Sequence, residues 1–195
     1  MLFALAAELV HIARVAAVAV PLWWAAGGAL LLTVLITLTF RDFARPCKGA
    51  PDIVYAPAGG TVKIAEGKLV AIFMWLVTRH TVLAPARGAI ISSEVAGAKR
   101  HPAMWGKASE NHHHSLKFDN GIVVKMVAGF IARRVIVWAA SNQVLAAGER
   151  LGLICLASRV DVILPERTGG HWVTVVHKGQ RIWQGTTPIA VWVRD

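Results

Sequence analysis

The sequence predicts a mainly β domain, sandwich- or barrel-like, that follows an N-terminal α-helical membrane hairpin. Residues Val15 to Phe40 contain no charged side chain, and a helix needs ~20 apolar residues to span the hydrocarbon core of a bilayer. After residue 57, short runs rich in Val, Ile and Trp recur between glycines, prolines and Asn/Asp pairs, which is typical of strands. Few segments after residue 40 have the length and period of an amphipathic helix.

The N-terminal segment, residues 1–40, is expected to anchor the chain in a membrane as two helices. Proline suits the first turn of a helix and disrupts its interior. Pro21 therefore predicts a break between helices over Leu2–Val20 and Leu22–Leu38. Whether these helices span the bilayer or lie in its interface is left open. A helix pair packed on the following domain is the alternative to a membrane anchor.

Basic residues after the second expected helix predict its orientation. Arg41, Arg45 and Lys48 follow the apolar segment, and Lys and Arg are enriched on the cytoplasmic side of membrane helices. We therefore expect localisation to the cell membrane, with the following domain on the cytoplasmic face. A cleaved signal peptide fits less well, because the apolar region is too long.

Residues 41–57 are expected to form a linker, because Pro46, Gly49, Pro51 and Pro57 interrupt any regular element. The β-rich domain then covers residues 58–195. Nine short apolar runs in it are the expected strands: Thr61–Ile64, Lys68–Met74, Gly88–Ser92, Gly121–Met126, Arg134–Trp138, Gly152–Leu156, Arg159–Leu164, Trp172–His177 and Ile189–Val193.

Two segments of the domain resemble each other around a glycine turn. Val144–Gly152 and Ile182–Ala190 each place hydrophobic residues shortly before and after a glycine. This arrangement resembles the hammerhead turns of biotinyl/lipoyl-type sandwiches. The lysine that such carrier domains modify in a hairpin tip is not evident, so the resemblance concerns architecture.

Charge and cysteine content narrow the classes of partner. The formal net charge is +10, and a basic surface fits either nucleic acid or anionic lipid. With so apolar an N-terminal segment we expect lipid, and no nucleic acid, as the partner. Cys47 and Cys155 are too few for a disulfide framework or a metal cluster.

Three adjacent histidines, His112 to His114, do not predict a metal site. Neighbouring side chains on a strand point to opposite faces, and no cysteine or acid cluster at ligand spacing accompanies them.

Further along the chain, Arg159 and Asp161 flank Val160. On a strand they would share one face, where they could form a local ion pair or have a catalytic role.

Several blocks, in order along nearly the whole chain, resemble the short bacterial and archaeal phosphatidylserine decarboxylases. The closest block is Ser158-Arg159-Val160-Asp161-Val162, followed by Leu164-Pro165. The others are Phe40-Arg41-Asp42, Ala56-Pro57-Ala58-Gly59-Gly60, Ile72-Phe73-Met74 with His80 and Ala84-Pro85, Lys107-Ala108-Ser109-Glu110-Asn111, Ala128-Gly129-Phe130-Ile131-Ala132-Arg133-Arg134 and Gly148-Glu149-Arg150.

The resemblance implies an enzyme that makes its own cofactor. The chain would cleave itself between Ala157 and Ser158 and convert Ser158 into a pyruvoyl group. It would then decarboxylate a serine phospholipid of the membrane, phosphatidylserine or archaetidylserine, to the ethanolamine lipid. His80 would perform proton transfer. The mature protein would be a complex of the two self-cleaved chains, with a homodimer possible.

The same resemblance suggests substrate-binding residues. Arg133 or Arg134 could hold a phospholipid phosphate, because the arginine fork matches phosphate oxygens. His112 follows a block that in this family lies near the active site, so it could contact the headgroup.

The chain departs from the family pattern at Gly59 and Ala157, at Arg87, and in the neighbours of His80 between Trp75 and Leu83. Gly59 stands where the family has an aspartate that orients the histidine, and Ala157 stands where it has glycine. Another acid could substitute for the aspartate: Asp52, Glu66, Asp119 and Asp161 are the candidates, and the sequence does not rank them. The alternatives to an enzyme are a non-processing homologue that binds lipid or assists assembly at the membrane, and a membrane-anchored adaptor.

Overall fold

The computed structural model describes residues 2–41, 47, 49–104, 106–129, 134–155 and 158–195. The chain divides into two compact units, Met1–Leu38 and Thr39–Asp195. The first unit is helical and the second holds all the strands of the described residues.

The N-terminal segment forms one helix, α1, over Leu2–Phe40, with Pro21 inside it. The prediction of a helical N-terminal segment is confirmed, but the expected break into helices over Leu2–Val20 and Leu22–Leu38 is wrong. A break creates two new helix ends, and their backbone N–H and C=O groups would lack hydrogen-bond partners in apolar surroundings. A proline inside a continuous helix removes only one backbone hydrogen bond. By length and composition, Arg14–Phe40 is able to cross a membrane.

The second unit is built of antiparallel strands, which confirms the mainly β prediction. One sheet has eight strands in the order β13-β2-β3-β11-β7-β6-β5-β9, and two sheets have three strands each, β1-β14-β12 and β4-β10-β8. The strands are β1 (Ile53–Tyr55), β2 (Gly60–Glu66), β3 (Leu69–Phe73), β4 (Thr81–Leu83), β5 (Gly88–Ala96), β6 (His113–Phe118), β7 (Val123–Val127), β8 (Val135–Val137), β9 (Val144–Leu145), β10 (Arg150–Ile154), β11 (Arg159–Ile163), β12 (Gly170–Thr174), β13 (Arg181–Ile182) and β14 (Pro188–Arg194). A short 3₁₀ helix covers Gly106–Glu110.

Strand β11 lies inside the large sheet, between β3 and β7. Val160 and Val162 face the hydrophobic core, where they are fully buried with side chains from all three sheets. Because successive side chains of a strand point to opposite faces, Arg159 and Asp161 lie on the other face of this sheet.

The two segments that resemble each other fold alike. Each contains a two-residue strand, a glycine turn and a longer strand, β9 to β10 and β13 to β14. Gly148 and Gly185 adopt φ angles of 87° and 70°, a left-handed conformation that glycine tolerates best. The repeated glycine turn predicted from the sequence is confirmed.

The region 41–57, expected as a linker, contains β1, which pairs with β14. Residues 42–46 and 48 of that region lie outside the described residues.

Four other strands also lack a counterpart among the nine expected ones: β4, β6, β9 and β13. Most of these have two or three residues, too few to show an alternating pattern in sequence.

Candidate active site

Ser158 lies directly before β11 and is fully buried, with 0% of its surface exposed. Its carbonyl oxygen accepts a hydrogen bond from the Met74 amide at 2.9 Å, because the β3–β11 pairing continues one residue beyond the strand ends. Its hydroxyl donates to the Cys155 carbonyl at 3.0 Å. The expected cleavage-site neighbour Ala157 and the preceding Leu156 lie outside the described residues.

His80 lies directly before β4 and is also fully buried. Its Nδ1 is 2.7 Å from the Thr78 carbonyl oxygen, and its ring centre is 6.1 Å from that of Phe40. Its own carbonyl accepts a hydrogen bond of 3.0 Å from the Ile154 amide.

The segment Ile154–Cys155 connects the two predicted catalytic residues. The Ile154 amide binds the His80 carbonyl, and the Cys155 carbonyl binds the Ser158 hydroxyl. The pairing of β10 with β4 places the end of β10 against His80. The fold thus brings Ser158 and His80, which are far apart in sequence, against one two-residue segment.

The hydrogen bonds of His80 assign its tautomer. A carbonyl oxygen only accepts, so the proton that faces Thr78 is on Nδ1 and the neutral ring has its lone pair on Nε2. Burial lowers the pKa of His80, against an opposing effect of the Thr78 and Thr39 backbones. Within the described residues Nε2 is buried without a hydrogen-bond partner. The ring is therefore suited to accept a proton at Nε2.

Arg159 and Asp161 form a buried ion pair, 2.7 Å from guanidinium nitrogen to carboxylate oxygen. Their predicted placement on one strand face is confirmed. Burial raises the pKa of Asp161, and the Arg159 charge is the largest of the effects that oppose the rise. The pair lies on the sheet face opposite Val160, so this acid is held by Arg159 rather than directed towards the core side.

We expect Arg159→Met to lower the free energy of unfolding by about 3 kcal/mol at neutral pH, because it leaves a buried carboxylate without its cation. The loss should shrink as pH falls, since protonation of Asp161 removes the buried charge. Urea unfolding of the detergent-solubilised full chain, followed by tryptophan fluorescence, measures it. The double variant Arg159→Met/Asp161→Leu is the control and should recover most of the loss; equal loss in both would contradict the assignment.

The other candidate acids have partners elsewhere. Asp52 lies 3.7 Å from Arg194, and Asp119 accepts hydrogen bonds from the backbone amides of Ala89 and Asn120. Glu66 is the exposed last residue of β2. In the part of the chain that the structure describes, no carboxylate is hydrogen-bonded to His80.

Gly59 lines a cleft of about 210 Å³ whose lining includes residues adjacent in sequence to His80. Thr78 and Arg79, which directly precede His80, line it too, and Trp75 follows Met74, the residue bonded to Ser158. The described residues that line it are Arg41, Gly59, Gly60, Trp75, Val77, Thr78, Arg79, Arg181, Ile182, Trp183 and Gln184. Arg79, Arg181 and the tryptophans were not expected as site residues; only the position of Arg79 next to His80 could have indicated one of them.

Gln184 holds the Gly59 turn against β4. Its side-chain amide donates to the Thr81 carbonyl and, at 3.3 Å, to the Pro57 carbonyl. The Leu83 amide also binds the Pro57 carbonyl, at 2.9 Å. The turn at Gly59, where the resemblance implies an aspartate, is therefore fixed along β4, which begins directly after His80.

The expected substrate-binding residues are placed less centrally. Arg133 lies outside the described residues, and the side chain of Arg134 is exposed. The backbone of Arg134 does reach the site, because its carbonyl accepts a bond of 3.0 Å from the Cys155 amide.

His112 packs edge-on against His114, with 5.8 Å between ring centres. Burial, and then the neighbouring His112 and His113, lower the pKa of His114. Among the described residues, no group of three or more His, Cys, Asp or Glu is arranged to hold a metal ion. No described hydrogen bond links these histidines to Ser158.

Comparison with known proteins gives consistent matches. The pattern of the phosphatidylserine decarboxylase family matches residues 63–190. A Methanosarcina barkeri protein provisionally named an archaetidylserine decarboxylase proenzyme is 32% identical over 165 residues, which is 83% of this chain and 79% of that protein. A Cupriavidus taiwanensis protein named phosphatidylserine decarboxylase proenzyme is 32% identical over 163 residues, 75% of this chain and 72% of that protein.

Proposed function

Because the chain belongs to the phosphatidylserine decarboxylase family, we propose that it cleaves itself before Ser158 and then decarboxylates a serine phospholipid, phosphatidylserine or archaetidylserine. The chain is a decarboxylase by family, and its relatives are named as proenzymes. The observation that carries the proposal is the joint burial of Ser158 and His80 against the segment Ile154–Cys155.

Self-cleavage uses the hydroxyl of Ser158 as the nucleophile. The oxygen attacks the carbonyl carbon of Ala157, the peptide C–N bond breaks, and the acyl group moves to oxygen as an ester. Loss of the Cα proton then expels the Ala157 carboxylate, and one water molecule replaces the nitrogen, which leaves as ammonia. Residue 158 becomes a pyruvoyl group. Nε2 of His80 is the base that accepts the hydroxyl proton.

Residue 158 and its surroundings fit such a group. The position is buried, and Nε2 of His80, which has no hydrogen-bond partner among the described residues, provides a proton-transfer group next to the segment that holds residue 158. When formed, the pyruvoyl group would supply an electron sink for the breaking C–CO₂ bond once its carbonyl carbon is joined to the headgroup amine. His80 then holds and returns a proton at Nε2, while the buried setting excludes water.

The helix α1 is the proposed membrane anchor. Its segment Arg14–Phe40 has the length and hydropathy of a membrane span, and Arg41 directly follows it. We place the β domain at the cytoplasmic face of the cell membrane, where it meets the headgroups of its substrate.

One observation favours a second function. Gly59 offers no carboxylate, and no described acid is hydrogen-bonded to His80. A chain with this site could remain uncleaved and act as a lipid-binding or assembly protein at the membrane.

The two functions are separated by incubating purified full chain in mixed micelles with the serine phospholipid. We expect two bands on a denaturing gel, reaction of the smaller chain with a hydrazide reagent for carbonyls, and release of carbon dioxide. One unreactive band and no carbon dioxide after long incubation would overturn the decarboxylase proposal in favour of the lipid-binding one.

We expect Gly59→Asp to speed self-cleavage by about tenfold or more, because a carboxylate beside an imidazole orients it and stabilises its protonated form. A side chain fits at residue 59, because the nearest atom to an added Cβ would be the backbone nitrogen of Gln184, at 3.6 Å. Cell-free synthesis sampled at fixed times, with the chains separated on a gel, gives the rate.

The matched control for this change is Gly59→Asn, which has nearly the same shape without the charge. It should leave the rate close to that of the natural chain. Equal rates for the Asp and Asn variants would show that a carboxylate in this turn does not assist His80.

A further inference from the structure

The turn between β3 and β4, Trp75 to Thr78, exposes apolar side chains at its tip. The Thr78 amide and hydroxyl both donate to the Trp75 carbonyl, at 2.9 and 2.6 Å, and close the turn. Leu76 and Val77 hold its two central positions and are exposed by 39% and 48%, and Trp75 is exposed by 46%. Central turn positions usually carry Gly, Pro, Asn, Asp or Ser. Turn formation therefore gives no reason for two exposed aliphatic side chains at this tip.

We propose that this turn, together with Trp183, is a docking surface that enters the headgroup layer of the membrane. The docking surface consists of Trp75, Leu76, Val77 and Trp183. The proposal rests on the proposed function, because its partner is the bilayer that contains the serine phospholipid and the anchor α1. It gives the β unit a membrane contact of its own.

Trp183 belongs to this surface because it lines the same cleft as Trp75 and Val77. Its side chain is exposed by 66%. Arg181 is also exposed and lines this cleft, and the residue between the two, Ile182, is buried in the core. Indole rings favour the headgroup region of a bilayer, and a surface arginine is attracted to anionic lipid. The surface thus combines the residue types that bind at a bilayer interface.

Carbonyl groups of the turn have hydrogen-bond donors within the protein. The Thr39 hydroxyl donates to the Leu76 carbonyl at 2.6 Å. The Arg41 guanidinium donates to the Val77 carbonyl at 3.0 Å. The indole N–H of Trp75 donates to a hydroxyl on β2 at 3.1 Å. A polar group that moves into a layer poor in water costs free energy unless it has such a partner, so these bonds favour insertion of the turn.

The two donors place the turn at the level where the chain leaves the proposed membrane span. Thr39 and Arg41 belong to the β unit and stand at the end of the segment Arg14–Phe40, which is able to cross a membrane. The last residues of a membrane helix lie close to the headgroup layer. Groups that are hydrogen-bonded to those residues lie near that layer as well, which holds the apolar tip against the bilayer.

Thr78 connects the docking surface to the candidate active site by hydrogen bonds. Its amide and hydroxyl bind the Trp75 carbonyl, and its own carbonyl accepts the Nδ1 proton of His80 at 2.7 Å. The Phe40 ring lies 6.1 Å from the His80 ring, measured between centres. Docking of the turn would therefore bring His80 close to the layer that contains the serine headgroup.

The first test measures the depth of individual tryptophans in the full chain, labelled with fluorotryptophan and placed in nanodiscs of phosphatidylcholine and phosphatidylglycerol. Single Trp→Phe replacements assign the fluorine signals. We expect a nitroxide on the lipid headgroup to broaden the signals of Trp75 and Trp183. The signal of Trp192, which is 7% exposed on β14, should stay sharp. A nitroxide on the acyl chain should broaden Trp23 and Trp24 of α1, which checks the anchor separately.

The other outcomes decide against the docking surface. Broadening of Trp75 by a water-soluble gadolinium chelate, and not by nitroxide lipid, would place the turn in solvent. Protection from both agents would show that a second copy of the chain covers it. Lipid broadening of Trp23 and Trp24 alone would keep the anchor and reject the surface, and no lipid broadening at all would reject both. Self-cleavage is not needed, so the result is independent of the decarboxylase proposal.

The second test measures what docking contributes to turnover. Leu76→Asn/Val77→Asn keeps residues that turns favour and removes the apolar tip. We expect this variant to raise KM for serine phospholipid in vesicles about tenfold with kcat nearly unchanged, because two half-exposed aliphatic side chains lose their apolar partners. Its KM for a short-chain serine phospholipid, dissolved below its micelle concentration, should stay that of the natural chain.

Val173→Asn/Val175→Asn is the matched control for this change. These valines are exposed by 38% and 47% and lie outside the cleft lining, so both values of KM should be unchanged. An equal rise in KM for vesicle and dissolved lipid would show that the turn shapes the active site rather than docks. A normal KM for vesicle lipid in the turn variant would overturn the docking surface while leaving the decarboxylase in place.

Discussion

Replacing Ser158 with alanine should give one uncleaved chain and no carbon dioxide from serine phospholipid. The methyl group cannot attack the preceding carbonyl, so neither the ester nor the pyruvoyl group forms. Since the variant removes one oxygen atom from a buried position, the fold should persist with the Cys155 carbonyl short of one hydrogen bond. A denaturing gel and carbon dioxide release measure the two losses together.

Two control variants show whether the loss in Ser158→Ala comes from the missing hydroxyl nucleophile. Ser141→Ala removes a hydroxyl from an exposed turn and should change neither cleavage nor turnover. Ser158→Cys keeps a nucleophile at the same place and should cleave slowly, which separates a missing nucleophile from a misfolded domain. Complete cleavage of the alanine variant would show that another residue starts the reaction.

Replacing His80 should slow self-cleavage by about 10²- to 10⁴-fold, the range usual for removal of a general base. His80→Asn is the sharper variant, because its amide N–H can still donate to the Thr78 carbonyl although it offers no base. If His80 only supports the structure, the asparagine variant should cleave nearly as fast as the natural chain. His171→Asn, at an exposed histidine on β12, is the matched control.

The pH dependence of cleavage gives His80 a second readout. The base must be neutral to accept a proton, and burial lowers the pKa of His80 below its ordinary value of about 6.5. Cleavage of the natural chain should therefore be constant near neutral pH and fall only in more acid solution, with a midpoint below 6.5. The cleavage rate of the His80→Asn variant should not show this fall in acid solution. A midpoint above 6.5 would conflict with a buried, neutral His80.

Much of the β domain could be predicted from the sequence, because its longer strands show their burial directly. Val160 and Val162 alternate with Arg159 and Asp161, and this pattern gives both the strand and the shared face of the ion pair. Strands such as β9 and β13 could not be found in this way. They have two residues each, and their pairing with distant strands, rather than their local sequence, defines them.

The continuous helix through Pro21 shows a limit of local rules. A proline predicts a break when water can satisfy the freed backbone groups. In a long apolar segment, the backbone hydrogen bonds on both sides of the proline stabilise the helix more than a break would, so the helix continues.

The candidate site was predictable only where a motif marked it. Ser158 and His80 stand in blocks that resemble a known family, and the structure places both against Ile154–Cys155. Arg181 stands in no such block. It reaches the cleft because β13 pairs with β2, a contact between residues far apart in sequence.

Intact mass analysis of the natural protein, extracted from membranes and fully matured, tests the central claim most directly. We expect two chains, one ending at Ala157 and one starting at residue 158, the second lighter by one ammonia than a chain that begins with serine. A single mass for the whole chain, with the bond between residues 157 and 158 unbroken, would contradict self-cleavage and with it the proposed enzyme.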